Sequence, residues 1–318
     1  MPVTTTPATL LLADPISREH LAGHRHLECP GRFDAVLDGL RAAGLLDRLG
    51  PVGPRAATID ELSLCHTSGY LTTARRDIAS GVPSLSTGDT EISPASWEVA
   101  ERAAGGVLNA VDAVAAGRAR NAFCAVRPQG HHATATRGMG FCLFNNVALA
   151  ARYAQRKHGM ERVLIVDWDV HHGNGTQDIF YSDPSVFFFS VHQWPLYPGT
   201  GRADETGAGR AEGSTMNFPL PPGSGRREIL GAVRESLLPA AKAYRPDLVL
   251  ISAGFDSRAG DPLGRFTLAD EDFTALTEAV MEIADHSARG RLVSVLEGGY
   301  NLQGLASAAA AHVAALSR

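Results

Sequence analysis

The sequence predicts an α/β protein built on a single parallel β-sheet between helical layers. Three observations predict it. Strand-like and helix-like segments alternate along the whole chain, as crossover connections between parallel strands require. The run Val163-Leu164-Ile165-Val166 is apolar at every position, which marks a strand covered on both faces. The 318 residues, 44% of them hydrophobic, can fill a large core within the size range of big α/β domains.

The elements follow in order. Strands are expected over 9–13, 122–126, 162–167, 186–191, 248–253 and 292–296. The first contains Leu10-Leu11-Leu12, with no basic region before it and an Asp14-Pro15 break after it. That makes it a strand rather than a signal peptide. Helices are expected over 32–43, 94–116, 145–158, 226–244, 268–287 and 302–316. Ser93 and Ser224 stand where N-caps would open the second and fourth of these. Gly/Pro-rich stretches at 81–89, 197–213, 219–225 and 260–264 read as loops, some of them shaping a substrate mouth. No repeat or interdomain linker stands out, so residues 1–318 read as one catalytic domain.

A net charge of −5 gives no pull toward nucleic acid or an anionic membrane surface. No apolar run reaches the ~18 residues of a membrane span. Cys29, Cys65, Cys124 and Cys142 are scattered with no Cys-x-x-Cys pair. A zinc knuckle or disulfide framework is therefore not expected, and a reducing cytoplasm is the expected compartment.

In open parallel sheets, ligands bind beyond the carboxyl ends of the strands. Four predicted strands carry unusual chemistry there: Arg127-Pro128-Gln129-Gly130-His131-His132, Asp167-Trp168-Asp169-Val170-His171-His172-Gly173-Asn174, Gly254-Phe255-Asp256, and Glu297-Gly298-Gly299-Tyr300. If the extended path of the second continues, Asp167, Asp169 and His171 share one face. Two carboxylates and an imidazole together are costly to bury without a compensating cation, and this donor set suits Zn²⁺ or another first-row metal. Each motif alone has a plainer reading, as a polar loop, a turn or a helix cap. Four converging on one sheet edge point to a reaction centre.

These blocks resemble the signatures of the zinc-dependent histone deacetylase family, which also includes acetylpolyamine amidohydrolases and acetoin-utilisation proteins. The order and spacing match from His26-Leu27-Glu28-Cys29-Pro30-Gly31-Arg32 to Tyr300. Phe141-Cys142, Asn145-Asn146 and Tyr197-Pro198-Gly199-Thr200-Gly201 add further family-like blocks. Asn174, where one branch has Asp, makes the chain similar to the class II branch with its many bacterial members. The resemblance implies the arginase–deacetylase fold.

It also implies roles. Asp169, His171 and Asp256 would bind one catalytic Zn²⁺, leaving positions for a water and a substrate carbonyl. His132 would be general base and then general acid, with His131 as an electrostatic and orienting neighbour. Asp167 would fix His131 and Asn174 would fix His132. Tyr300 would donate to the developing oxyanion. Phe141 and Tyr197 would wall an acyl-lysine tunnel, and the Gly140 carbonyl would accept the substrate amide N–H. Arg32 matches an arginine lining an internal channel; a structural ion pair is the alternative. A K⁺ site would use Asp167, carbonyls near Asp169 and His171, and the Ser190 hydroxyl. His24, His26, His66 and His192 read as surface or structural histidines.

The implied reaction removes acetyl or other acyl groups from the lysine ε-amine of proteins or peptides. The alternative substrate is an acetylpolyamine or another small acetylated amine. One polyamine-specific branch has a Glu at the tunnel mouth where this chain has Leu263; Asp89 and Glu91 are the other acids that could supply mouth charge. A two-manganese arginase-type hydrolase and a non-catalytic acyl-lysine reader are further alternatives. Asn174 argues against the first and Tyr300 against the second. A homo-oligomer is possible.

Overall fold

The computed structural model describes residues 9–318. Eight parallel strands form one sheet in the order β2-β1-β3-β8-β7-β4-β5-β6. They are β1 (Thr9–Leu12), β2 (Gly50–Pro51), β3 (Asn121–Cys124), β4 (Val163–Asp167), β5 (Val186–Gln193), β6 (Thr215–Leu220), β7 (Leu248–Ala253) and β8 (Leu292–Leu296). The six expected strands are all present, with ends shifted by a few residues. The last two residues of the 122–126 expectation leave the ladder but remain buried.

Two strands escape sequence reading. β2 is two residues long, and β6 reads Thr-Met-Asn-Phe-Pro-Leu, with a proline inside. Both lie at sheet edges, where a strand pairs on one side only and proline is tolerated.

The helices are α1 (Gly31–Ala42), α2 (Ile59–Leu62), α3 (Ser68–Ser80), α4 (Ser96–Ala115), α5 (Asn146–His158), α6 (Asn174–Phe180), α7 (Arg226–Gly231), α8 (Leu238–Tyr244), α9 (Asp270–Ser287) and α10 (Leu302–Leu316). α3 was not expected, although Thr67 accepts the Tyr70 N–H as its cap and Gly81 ends it in the left-handed region. The expected helix 226–244 is broken: α7 and α8 are joined by a π-helical segment, Ala232–Leu237. Pro239 stands two residues beyond it; it cannot donate, and its ring would crowd the carbonyl four residues back, so a wider turn fits here.

Both predicted serine caps are corrected. Ser93 bonds Leu21 N–H and the Ser96 hydroxyl, and α4 starts at Ser96. Ser224 donates to the Pro221 carbonyl, while Glu228 accepts the Gly225 N–H that opens α7.

The sheet separates two apolar cores. One packs α3, α4 and α5 against side chains such as Phe188 and Val293. The other packs α1, α9 and α10 against the opposite face, through Phe123, Leu164 and Ile251. Burial on both faces explains the unbroken apolar strands. It also leaves the carboxyl ends of β3, β8, β7 and β4, which are neighbours in the sheet, as the place where polar groups gather. Among the described residues, no helix is long and apolar enough to cross a membrane.

Candidate active site

β4 ends at Asp167, so the expected extended path does not continue. Instead each aspartate accepts a backbone N–H two residues on: Asp169 N–H bonds Asp167 Oδ1 at 3.1 Å, and His171 N–H bonds Asp169 Oδ1 at 2.9 Å. Successive turns of this kind, which short acidic side chains favour, still deliver Asp167, Asp169 and His171 to one site. Asp256, after β7, joins them and accepts the Val170 N–H at 2.9 Å.

One ligand atom each from Asp169, His171 and Asp256 lies within 4.8 Å of the others, and all three residues are buried. Gly298, after β8, closes the cluster and donates its N–H to Asp169 Oδ2 at 2.7 Å. A Cβ there would meet Asp256 Oδ2 at 2.1 Å, so only glycine fits. Burial and the neighbouring Asp169 push the Asp256 carboxyl up to about 7. Burial opposes charge on His171 too, but Asp169 and Asp256 outweigh it and raise the imidazole to about 10. Among the described residues Asp256 Oδ2 has no hydrogen-bond partner, with His171 Nδ1 3.2 Å away. Buried carboxylates with an open lone pair and an adjacent imidazole fit a divalent cation of the zinc type.

Beside this cluster sit two histidines with ring centroids 4.0 Å apart. His131 Nδ1 meets Asp167 Oδ2 at 3.0 Å, and His132 Nδ1 meets Asn174 Oδ1 at 2.8 Å. Burial lowers the His132 imidazole well below its usual range, and the neighbouring His131 lowers it further. Burial acts on His131 in the same sense, but Asp167 and Asp169 overcome it and raise that ring to about 10. The two rings are thus held apart in basicity by their different partners.

A cavity of about 340 Å³ opens over the cluster. Phe141 and Tyr197 form apolar walls, and His132, His171 and Tyr300 lie at its depth, with Leu263 also lining it. Phe141 packs edge-on against Tyr300, and Tyr197 edge-on against His132, at centroid distances of 5.9 and 5.2 Å. Gly140 also lines the cavity, at φ +57°; a Cβ there would meet His132 Cδ2 at 2.3 Å. Burial raises the Tyr300 phenol well above its usual value, so it stays protonated.

Arg32 is not among the residues that line this cavity. It lies behind Tyr300, with its guanidinium 5.0 Å from the ring, and donates to Glu28 Oε1 at 3.1 Å and to the Gly299 carbonyl at 2.7 Å. Ser190 lies beside Asp167 in the β4–β5 register and bonds His192 at 3.0 Å. His66 and His192 are buried and bonded through both ring nitrogens. His26 packs edge-on against Phe141 at 4.6 Å, closer to the cavity wall than expected of a surface histidine.

Two residues of the quoted motifs, Glu297 and Gln129, and Asp261 of the 260–264 loop hold the site together from outside the cluster. Glu297 accepts the Gly130 and His131 N–H groups at 2.7 and 3.1 Å and so holds the histidine loop against β8. Asp261 accepts the Leu263, Tyr300 and Asn301 N–H groups, tying the leucine loop to the tyrosine loop. Gln129 bonds the Tyr300 hydroxyl at 2.7 Å. Apart from the Leu263 bond within its own loop, these contacts join segments from 39 to 171 residues apart, which no local pattern announces.

The histone deacetylase domain model matches residues 26–316. The chain belongs to the histone deacetylase family. It is 41% identical over 292 residues to the polyamine deacetylase HDAC10 of Mus musculus, covering 88% of this chain and 43% of that protein. It is 41% identical over 282 residues to the histone deacetylase-like amidohydrolase of Pseudomonas aeruginosa, covering 88% of this chain and 73% of that protein. The chain thus spans less than half of the mouse protein's length. The crystal structure of the HDA15 HD domain superposes with a TM-score of 0.92 at 37% identity, over 98% of this chain and 90% of that one. The sheet with its two helical layers is the arginase–deacetylase fold.

Proposed function

We propose that the chain forms one catalytic domain and is a Zn²⁺-dependent deacetylase acting on the acyl-lysine ε-amide of proteins or peptides. The observation that carries this reading is the convergence of the Asp169–His171–Asp256 cluster, His132 and Tyr300 at the depth of one aromatic-walled cavity. The walls suit a four-carbon methylene stem, whose burial contributes about 0.8 kcal/mol per CH₂.

A divalent cation held by the cluster supplies Lewis acidity toward the amide carbonyl and lowers the pKa of an attacking water. The chain's own residues do the rest. Asn174 Oδ1 can only accept, so His132 carries its proton on Nδ1 and presents a free Nε2 as base. His132 takes the water's proton and returns it to the leaving amine, while His131 keeps positive charge beside it. The protonated Tyr300 phenol donates to the oxygen as it gains charge. Gly140 offers its carbonyl to the substrate amide N–H. K⁺ is assigned to oxygen donors around Asp167 and Ser190, as a structural ion. The cytoplasm is the proposed compartment, and nucleic acid and membrane are not proposed partners.

A small acetylated amine is the second reading, favoured by the likeness to a polyamine deacetylase. Asp89 lines the cavity, but it already accepts the Gly140 N–H at 2.8 Å and the Tyr197 hydroxyl at 3.0 Å. Glu91 faces His26 Nε2 at 3.9 Å. With Leu263 at the cavity, the acidic mouth is weak. The test is kcat/KM of the zinc-loaded protein on an acetyl-lysine peptide beside N-acetylputrescine. A peptide preference of about tenfold or more, roughly 1.4 kcal/mol, supports the first reading; the reverse preference replaces it with the second.

A further inference from the structure

The hydroxyl of Tyr300 has a single hydrogen-bond partner among the described residues, the side-chain amide of Gln129. The direction of that bond is decided one residue further back. Arg32 Nη1 reaches Gln129 Oε1 at 3.2 Å. A guanidinium only donates, so the amide oxygen must face Arg32 and the amide nitrogen must face the phenol. Nε2 therefore donates to Tyr300 Oη at 2.7 Å.

Arg32 has no freedom to reverse this. It is fully buried, and three of its other four donors are taken by Glu28 Oε1, the Gly299 carbonyl and the Glu297 carbonyl. Glu28 is itself clamped by Arg127, at 2.7 Å from Nη2 to Oε2. Arg32 thus donates both ways, back to Glu28 and forward to Gln129, and from Arg32 the donor sense runs through Gln129 to the phenol oxygen.

A phenol oxygen that accepts from the amide keeps its own proton for another acceptor. Tyr300 and Gln129 both line the cavity beside His132 and His171. We infer that Gln129 is a positioning residue for the reaction: its amide takes one side of the Tyr300 oxygen as donor and so leaves the phenolic O–H to aim at the substrate carbonyl. The inference rests on the deacetylase reading and adds to it the device that orients the oxyanion donor.

The substitution Gln129→Glu tests the direction of the bond. Glu keeps the length and keeps an acceptor for Arg32, so the fold is preserved, but its free oxygen accepts the phenolic proton instead of donating to the phenol. The O–H is then turned away from the substrate. Gln129→Leu removes the bond and leaves the phenol to rotate. Expected results are a fall in kcat of about 10-fold for the Leu variant and about 10²-fold for the Glu variant, the latter near the loss of one oxyanion donor. KM should stay within about threefold, because the bond acts in the transition state.

The decisive arm is the double variant with Tyr300→Phe. With no hydroxyl to aim, Gln129→Glu should cost nothing beyond the loss that Tyr300→Phe already shows. A purely structural Gln129 gives an additive loss instead. Melting curves and zinc content of each variant check folding. Wild-type kcat in Gln129→Glu, a rise in KM with kcat unchanged, or additive losses in the double variant each overturn the inference while the deacetylase reading stands. Wild-type protein that is inert toward both acetyl-lysine peptide and N-acetylputrescine overturns the reading itself, and this inference with it.

Discussion

Replacing Asp261 by alanine should damage both stability and turnover, although Asp261 is neither a member of the metal cluster nor itself a lining residue of the cavity. Its Oδ2 accepts the Tyr300 N–H at 2.7 Å and the Asn301 N–H at 3.1 Å, and its Oδ1 accepts the Leu263 N–H at 2.9 Å. The Tyr300 bond is buried and the other two are partly buried. A buried donor left without a partner costs about 1–3 kcal/mol, and the two partly buried ones recover some of that from water. The sum is about 3 kcal/mol. For a chain of this length, with an unfolding entropy of roughly 2 cal/mol/K per residue, that corresponds to a Tm lower by about 4–5 °C. Asp261→Asn should lose about half as much, because one end of the amide can still accept while the other meets a donor. The same bonds fix the backbone of Tyr300, so kcat should fall in Asp261→Ala, by at most the ~10²–10³ expected for losing the oxyanion donor outright. Thermal melts and steady-state kinetics of the two variants give both numbers. An Asp261→Ala protein with wild-type Tm and wild-type kcat would refute the coupling of the two loops through this carboxylate.

The remaining predictions concern the metal cluster, pH and substrate choice. Gly298→Ala puts a methyl 2.1 Å from Asp256 Oδ2 and 2.6 Å from Asp169 Oδ2. It should abolish stoichiometric zinc binding, read by metal analysis after dialysis, with the wild type retaining its ion. Burial lowers His66 from 6.5 to about 4 and His312 from 6.5 to about 3, so each is neutral in the folded protein. Their stabilisation is therefore complete above about pH 6.5 and is lost as pH falls toward 4, on the order of 3 kcal/mol for His66 alone. Tm should drop steeply between pH 6.5 and 4, and less steeply in a His66→Gln variant. Leu263→Glu places a carboxylate at the cavity and should shift kcat/KM toward N-acetylputrescine by about tenfold or more relative to an acetyl-lysine peptide, roughly one favourable ion contact. Unchanged selectivity would remove Leu263 from the substrate mouth.

The legible parts of this protein are those where one physical demand acts locally. Two-sided burial made six central strands readable as apolar runs, and β2 and β6 were missed because edge strands do not carry that demand. The metal cluster was readable because Asp-x-Asp-x-His is costly chemistry in any buried setting. The expected extended path is replaced: the chain past Asp167 turns on its own aspartates, and this still brings Asp169 and His171 together with Asp256. Glu297, Asp261 and Gln129 carry no local pattern that signals what they do. Their work is to bind backbone or side chains of segments far away in the chain, and only the packed sheet edge shows which segments those are. Their residue types offered the one signal available. A glutamate at the end of an apolar strand, like Glu297 after β8, must find donors once it is buried.

The same argument explains why the site tolerates so much buried charge. Glu28, Asp167, Asp169, Asp256 and Glu297 are all fully buried, as are Arg32 and Arg127. Three of the carboxylates are not ligand candidates in the cluster and are met by protein groups: Glu28 by the two arginines, Asp167 by His131 and the Asp169 N–H, and Glu297 by two backbone N–H groups and the Ser252 hydroxyl. Arg127 outweighs burial and holds Glu28 down to about 2, whereas Glu297, lacking an arginine, is pushed up to about 7 by burial. The difference follows the division of labour. Glu28 anchors an ion-paired strut that ends on the phenol of Tyr300, and a strut must keep its charge at every pH the fold survives. Glu297 stands under the histidine loop, where a second full negative charge beside Asp167 would bind a proton more firmly to His131. Charge at this sheet edge is therefore graded: the arginines favour it on Glu28 behind Tyr300, and burial works against it on Glu297 beneath the histidines.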